Sequence, residues 1–131
     1  MGDVILARCG LRDPAEFRRV YGRGERYNGR FMTAFVLPND SEHQRLGVTA
    51  SRKTSVRAVE RNRMKRLLRE SFRLSDATLA GLQTNYDWVL NARRSLLTVK
   101  SVEPMEEFQR IVARVASDEQ RISMRSVHQE Q

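Results

Sequence analysis

The sequence of 131 residues is poor in cysteine, glycine and proline, and each shortage excludes a class of protein. The single cysteine, Cys9, allows no internal disulfide and no paired-thiol zinc site, so a cytoplasmic setting is the simplest interpretation. Seven glycines and three prolines exclude a collagen-like repeat, and a hydrophobic fraction of 40% argues against wholesale disorder. The longest apolar runs, 4–7 and 32–37, are too short for a membrane span or a secretory signal. We therefore expect one soluble domain over 13–116, with a flexible arm over 1–12 and a flexible tail over 117–131.

Lysine is also scarce, because 21 of the 24 basic residues are arginine. The planar guanidinium binds phosphate through two donors and stacks on bases, whereas the lysine ammonium acts as a hydrated point charge. The region 52–73 holds nine basic and two acidic residues, a local net charge of +7 within a total of +8. This concentration indicates an RNA partner.

Hydrophobic spacing predicts alternating helices and strands. In chain order we expect a helix over 14–21, strands over 31–37 and 45–51, a helix over 56–74, a strand over 86–92 and a helix from Ser101 to about Ala116. Asp13 and Glu16 form a capping-box pattern, Ser55 is the expected cap of the long helix, and 22–30 is expected to be turns. The pattern indicates a mixed α/β fold in which helices cover a sheet, with a right-handed connection as the default between parallel strands.

The predicted 56–74 helix has two contrasting faces. An apolar stripe of Met64, Leu67, Leu68 and Phe72 is expected to face the core. The opposite side carries cations without an acid, together with one amide: Asn62, Lys65, Arg66, Arg69 and Arg73. A charged helix face is usually a solvated surface, but such faces normally mix signs, and unbalanced cations on neighbouring turns repel one another. This face is therefore predicted to bind a polyanion.

The stretch 58–73 reads A-V-E-R-N-R-M-K-R-L-L-R-E-S-F-R. It closely resembles the A-V/H-x-R-N-R-x-K-R-x-x-R-E-x-F-R signature of the bacterial ribonuclease P protein subunit. The resemblance extends to 17–21, which is similar to the family's first helix, to 45–53, similar to its third strand, and to 87–93, similar to its fourth. About 12–116 of the chain is covered.

The resemblance implies an α/β (α+β) two-layer sandwich of order αβββαβα, similar to domain 2 of ribosomal protein S5, with a left-handed βαβ crossover that replaces the right-handed default. It implies one copy of the chain per catalytic RNA, which uses Mg²⁺ to cleave the 5′ leader from precursor tRNA. DNA and membranes are not expected partners. The residues implied to bind the catalytic RNA are Arg52, Lys53, Arg57, Arg61, Asn62, Lys65, Arg66 and Arg69. Those implied to bind the single-stranded leader are Phe17, Tyr21 and Met32.

Two departures from the family pattern bear on these contacts. Ala34 stands where some relatives carry a tyrosine, which puts one stacking contact in question. The bend over 54–57 lacks the glycine of many relatives and is one residue longer, so Arg52 and Lys53 are expected to point differently.

No catalytic or metal-binding residues are predicted in the protein itself. The carboxylates are scattered, whereas a nuclease that acts alone would need them close together to hold metal ions. His43 and His128 have no neighbouring ligand pattern, and Trp88 is expected in the core. The alternative function is a structural RNA-binding protein such as a ribosomal subunit. A DNA-reading helix is less favoured, because no helix-turn-helix pair precedes the basic stretch.

Overall fold

A computed structural model describes the backbone of 10–100 and 102–130, and the side chains of these residues as far as Arg121. The elements, in chain order, are α1 (Pro14–Arg23), β1 (Glu25–Asn28), β2 (Met32–Pro38), β3 (Arg45–Thr49), α2 (Ala58–Leu74), α3 (Asp76–Ala80), β4 (Tyr86–Ala92), a 3₁₀ turn (Arg94–Thr98) and α4 (Val102–Glu130). A mixed α+β fold is therefore confirmed.

One four-stranded sheet organises the chain, with strand order β1-β2-β4-β3. β2 pairs with β1 and with β4 in antiparallel fashion. β3 and β4 are parallel, so α2 and α3 form the crossover between them. The left-handed sense of this crossover stays a prediction from the resemblance.

The sheet has a thick and a thin apolar layer on its two sides. On one side the strands contribute Met32, Trp88 and Leu90 to the main core, where α2 and α4 pack. On the other side Val20 of α1 packs on Val89 of β4. Successive strand residues point to opposite faces, so the residues on each face are two apart in the sequence. The predicted apolar stripe of α2 lies in the main core, as expected.

The helix α1 begins as the sequence predicts. The Asp13 carboxylate accepts a hydrogen bond from the N–H of Ala15, and the Glu16 carboxylate accepts one from the N–H of Asp13. The helix runs two residues longer than expected and ends at Gly24, whose N–H donates to the Val20 carbonyl. An added Cβ at Gly24 would lie 2.6 Å from that carbonyl oxygen, so the sharp passage into β1 needs glycine.

Three regions expected to lie outside regular structure differ from that expectation. The region 22–30 contains the strand β1 rather than turns alone. The first described residues belong to the fold, because Gly10 bridges to Leu46 and the Leu11 N–H donates to the Leu46 carbonyl at 2.8 Å. The rest of the expected arm, 1–9, lies outside the described residues. At the other end α4 continues past Ala116 to Glu130, where a flexible tail was expected.

Candidate nucleic-acid interface

The exposed side of α2 carries a compact set of cations and one amide. We call this set the α2 basic face: Asn62, Lys65, Arg66, Arg69 and Arg73. Lys65 is half-buried and the other four side chains are exposed. Among the described residues no ion pair involves this face. Glu60, on the same helix, instead accepts a hydrogen bond from the Ser55 hydroxyl at 2.6 Å. The cations are therefore free to bind an anionic partner, and such a partner would relieve their mutual repulsion.

The segment between β3 and α2 adds three exposed cations, Arg52, Lys53 and Arg57. It is a tight turn in which the Ser51 carbonyl accepts hydrogen bonds from the N–H groups of Thr54 and Ser55. Its form corrects the expected start of α2, because the N-cap is Arg57 rather than Ser55.

The hydroxyl of Ser55 nevertheless stabilises this turn. It accepts a hydrogen bond from the Arg57 N–H at 3.2 Å while it donates to Glu60. The three cations therefore lie in a turn that is hydrogen-bonded to the first residues of α2, beside the α2 basic face.

Two arginines of the signature have structural partners. Arg61 is half-buried and donates to the Ser55 carbonyl at 3.0 Å, which leaves its other donors for a partner. Arg63 donates to the carbonyls of Leu97 and Val99, at 2.9 and 3.1 Å. Because both ends of the Arg63 fork hold backbone, this residue fixes the segment before α4 and stands apart from the α2 basic face.

A second candidate surface lies on the opposite side of the sheet, where α1 leaves part of the strands uncovered. We call it the α1 cleft: Tyr21, Phe35, Thr49 and Asn91. Tyr21 is 39% exposed, and its ring meets the Phe35 ring edge-on at 4.8 Å between centroids. The Asn91 side-chain oxygen accepts hydrogen bonds from the hydroxyls of Tyr21, at 2.8 Å, and Thr49, at 2.6 Å.

These contacts orient the Asn91 amide so that its nitrogen, which carries two donors, has no hydrogen-bond partner among the described residues. An exposed aromatic ring beside a free amide is suited to an unpaired base, which needs a stacking surface and a hydrogen-bond donor.

The three predicted leader contacts do not share one surface. Tyr21 lies in the α1 cleft, and Phe17 is half-buried one turn earlier on α1, with its ring over Gly47. The prediction for Met32 is wrong. Its side chain is fully buried in the main core, because it lies on the strand face that points towards α2 and α4.

Ala34, which replaces the tyrosine of some relatives, also lies on the strand face that points into the main core. Ala34 is fully buried in the main core, and the aromatic residue of β2 that faces α1 is Phe35. Sequence reasoning missed Phe35, Thr49 and Asn91. Alternation along β2 places Phe35 on the face opposite Met32, but Asn91 is assigned to that face only by the strand register, in which it pairs with Thr33.

Within the described residues no group of three or more histidine, cysteine, aspartate and glutamate side chains is placed to hold a metal ion. The buried carboxylates accept hydrogen bonds from other groups: Asp87 accepts from Arg45, and Glu107 accepts from backbone N–H groups. No helix in the described part of the chain combines the length and apolar character needed to cross a bilayer.

A protein-family model described as Ribonuclease P matches residues 7–116. The chain belongs to the ribonuclease P protein family. The ribonuclease P protein component of Methylococcus capsulatus is 43% identical over 91 residues, which make up 70% of this chain and 68% of that protein. The corresponding protein of Coxiella burnetii is 32% identical over 113 residues, 86% of this chain and 90% of that one.

The fold comparison agrees. The solved structure of the Staphylococcus aureus RNase P protein is similar with a TM-score of 0.68 and 25% identity, over 82% of this chain and 94% of that chain. Membership of the ribonuclease P protein family favours the main prediction over a ribosomal subunit. Both candidate surfaces lie within the matched region.

Proposed function

We propose that this chain is the protein subunit of a ribonucleoprotein endonuclease that removes the 5′ leader from precursor tRNA. The α2 basic face binds the catalytic RNA, and the α1 cleft binds the single-stranded leader. The observation that carries the proposal is the α2 basic face, whose four cations have no acidic partner among the described residues, within a chain of this family.

The chemistry of the α2 basic face suits folded RNA. Arg66 and Arg69 are exposed and three residues apart, so they lie on adjacent turns and can hold neighbouring phosphates through charge-assisted hydrogen bonds. Asn62 offers a donor and an acceptor, which can read a base edge or a 2′-hydroxyl. Arg52, Lys53 and Arg57 extend this positive surface along the segment before α2.

The α1 cleft suits a single strand rather than a duplex. Tyr21 and Phe35 provide aromatic surface, and aromatic side chains bind bases of any sequence because every base has a π-face. The orienting bonds to Asn91 fix the Tyr21 ring before the leader arrives, which lowers the entropic cost of binding.

The protein supplies binding, and the RNA supplies the chemistry. In this proposal the catalytic RNA would hold Mg²⁺, and the ion would supply charge stabilisation at the scissile phosphate. The support is the donor set of the described chain, in which no carboxylate cluster of the kind used by two-metal nucleases is present. RNA-free protein is accordingly expected to leave precursor tRNA uncut in Mg²⁺.

The assignment of the α2 basic face is tested by Arg66→Ala combined with Arg69→Ala. We expect the affinity for the catalytic RNA to fall about tenfold or more, since each lost hydrogen bond to a charged group is worth about 1.5–3 kcal/mol. The slope of log affinity against log salt should fall by about two, one per phosphate contact. The measurement is a filter-binding titration over a range of salt concentrations.

A charge-matched control keeps this test specific. Arg12→Ala with Arg23→Ala removes two exposed cations, one just before α1 and one at its last residue, and should change the affinity for the catalytic RNA much less. Equal losses for the two double variants would show that only net charge matters, and the α2 basic face would lose its role.

The assignment of the α1 cleft is tested by Tyr21→Ala. We expect a loss of about 1–3 kcal/mol in binding leader-bearing precursor, the usual worth of one stacked base, while binding of mature tRNA is preserved. Tyr21→Phe keeps the ring and should retain most of the affinity. The measurement is equilibrium binding of both RNAs to the reconstituted holoenzyme, and equal losses for both RNAs would exclude leader binding here.

A further inference from the structure

A partly buried ion pair joins the two parallel strands at one end of the sheet. Arg45 of β3 and Asp87 of β4 are direct partners in the strand register. The Arg45 guanidinium donates from Nε to Asp87 Oδ1 at 2.7 Å and from Nη2 to Asp87 Oδ2 at 2.9 Å. Asp87 is 1% exposed and also accepts a hydrogen bond from the Asn39 amide at 2.8 Å. The carboxylate is thus fully partnered, as a buried charge must be.

The same guanidinium reaches across to α1. Arg45 Nη2 lies 2.6 Å from Oε2 of Glu16. The other oxygen of Glu16 accepts the hydrogen bond from the Asp13 N–H that completes the capping box. One side chain therefore stabilises the first turn of α1 and ties that turn to the sheet.

The next residues show how closely α1 is held. Phe17 follows Glu16, and its ring lies over Gly47, which is two residues after Arg45 on the same face of β3. A Cβ at Gly47 would lie 2.5 Å from Phe17 Cζ, so α1 approaches the sheet as closely as glycine allows. Tyr21 is one turn further along the helix. The height of α1 above the sheet at Glu16 and Phe17 therefore sets where the Tyr21 ring meets Phe35.

We propose that Glu16 and Arg45 are positioning residues for the leader, which hold α1 at the distance that fits the α1 cleft to a single strand. This rests on the proposed function. Neither side chain need contact RNA, because each acts through the placement of Tyr21. Glu16 is the informative member of the pair, since its capping contact and its ion pair use different oxygens.

The test is Glu16→Gln in the reconstituted holoenzyme. The glutamine carbonyl can still accept from Asp13, so α1 keeps its cap while the charge that binds Arg45 is removed. We expect KM for leader-bearing precursor to rise about threefold to tenfold, about 0.7–1.4 kcal/mol, with kcat unchanged. Affinity for the catalytic RNA should not fall, because α2 packs on the other face of the sheet.

Two further variants make the result specific. Glu42→Gln removes one negative charge from an exposed loop residue and should leave KM unchanged, which controls for the added net positive charge. Arg45→Lys keeps a cation near Asp87 but replaces the fork by a single ammonium, so it should raise KM as Glu16→Gln does. The combined Glu16→Gln and Arg45→Lys variant should have a KM no higher than that of the single variant with the larger effect, because both changes break the same connection.

The outcomes separate the two proposals. If the unchanged chain binds leader-bearing precursor no better than mature tRNA, leader binding fails and the positioning role fails with it. If the unchanged chain prefers the leader and Glu16→Gln keeps that preference, only the positioning role is overturned. Equal losses of affinity for leader-bearing precursor and for mature tRNA would also overturn it, since they would indicate a general structural loss.

Discussion

Glu107 is a charged residue inside the fold, only 5% exposed. Its carboxylate accepts hydrogen bonds from the backbone N–H groups of Arg30, Phe31 and Met32, at 2.7, 2.9 and 3.1 Å. It thereby connects α4 to the start of β2. A Cβ at Gly29 would lie 2.6 Å from the carboxyl carbon, so the turn between β1 and β2 is built around this side chain. Helical spacing does not predict this role, because it leads one to expect an apolar residue at position 107, among the apolar residues of α4.

Glu107→Ala is expected to lower the free energy of unfolding by about 3 kcal/mol or more, because it leaves three backbone donors without a partner at about 1–3 kcal/mol each. Glu106→Ala removes the exposed neighbouring carboxylate and should change stability by about 0.5 kcal/mol or less. Urea unfolding followed by the fluorescence of the buried Trp88 measures both. A similar small change for the two variants would show that water replaces the Glu107 contacts.

At the scale of elements, α2 could be predicted because its pattern is long and its two faces are chemically distinct. Four predicted core residues of α2 are buried, and the predicted cationic side is exposed or half-exposed. These successes come from helical periodicity, which a sequence displays directly.

The elements that hydrophobic spacing alone did not predict depend on contacts between distant residues. β1 reads Glu-Arg-Tyr-Asn, a polar stretch between glycines, and becomes a strand through its pairing with β2. The part of α4 just beyond Ala116 lacks apolar periodicity but contacts the sheet through Asp118, which accepts from the Tyr27 hydroxyl, and Glu119, which accepts from the Tyr86 hydroxyl. Strand propensity and helix ends are both set largely by such tertiary partners, so a local pattern could not reveal them.

Met32 and Phe35 show the same limit within the candidate site. Alternation alone separates them onto opposite faces of β2, but it does not say which face meets α1. The register with β4 and the packing of Val20 on Val89 settle that question. The resemblance therefore indicated a candidate residue on α1, Tyr21, while the strand residues that lie beside it required the fold.

For the whole molecule, the sheet separates the two candidate RNA surfaces. α2 packs on the face that carries the main core, and α1 packs on the other. A change in the α1 cleft can reach the α2 basic face through the sheet, whose central strands are bonded to neighbours on both sides, or through the segment that connects β3 to α2. Under the proposed function, this arrangement would hold the two RNA segments at a fixed separation.

The stability of the whole molecule should also depend on two tyrosines that tie α4 to the sheet. Burial, together with hydrogen bonds to Asp118 and Glu119, raises the pKa of Tyr27 and of Tyr86 well above the ordinary value. The hydrogen bond from Tyr27 in turn lowers the pKa of Asp118. In the unfolded chain the phenols lose their protons near pH 10, whereas the folded chain keeps them, so the folded state binds more protons above that pH.

Stability contributed by these tyrosines is therefore fully present below about pH 10 and declines as the pH rises further towards the folded pKa values. The double variant Tyr27→Phe with Tyr86→Phe should be less stable than the unchanged chain by about 1–3 kcal/mol at about pH 8, because it loses two hydrogen bonds to carboxylates. The difference should shrink as the pH is raised from about 10 to about 11, since only the unchanged chain has these phenols to ionise on unfolding. Urea unfolding followed by Trp88 fluorescence at each pH measures the two free energies, and a constant difference across this range would mean that the phenol protons do not contribute.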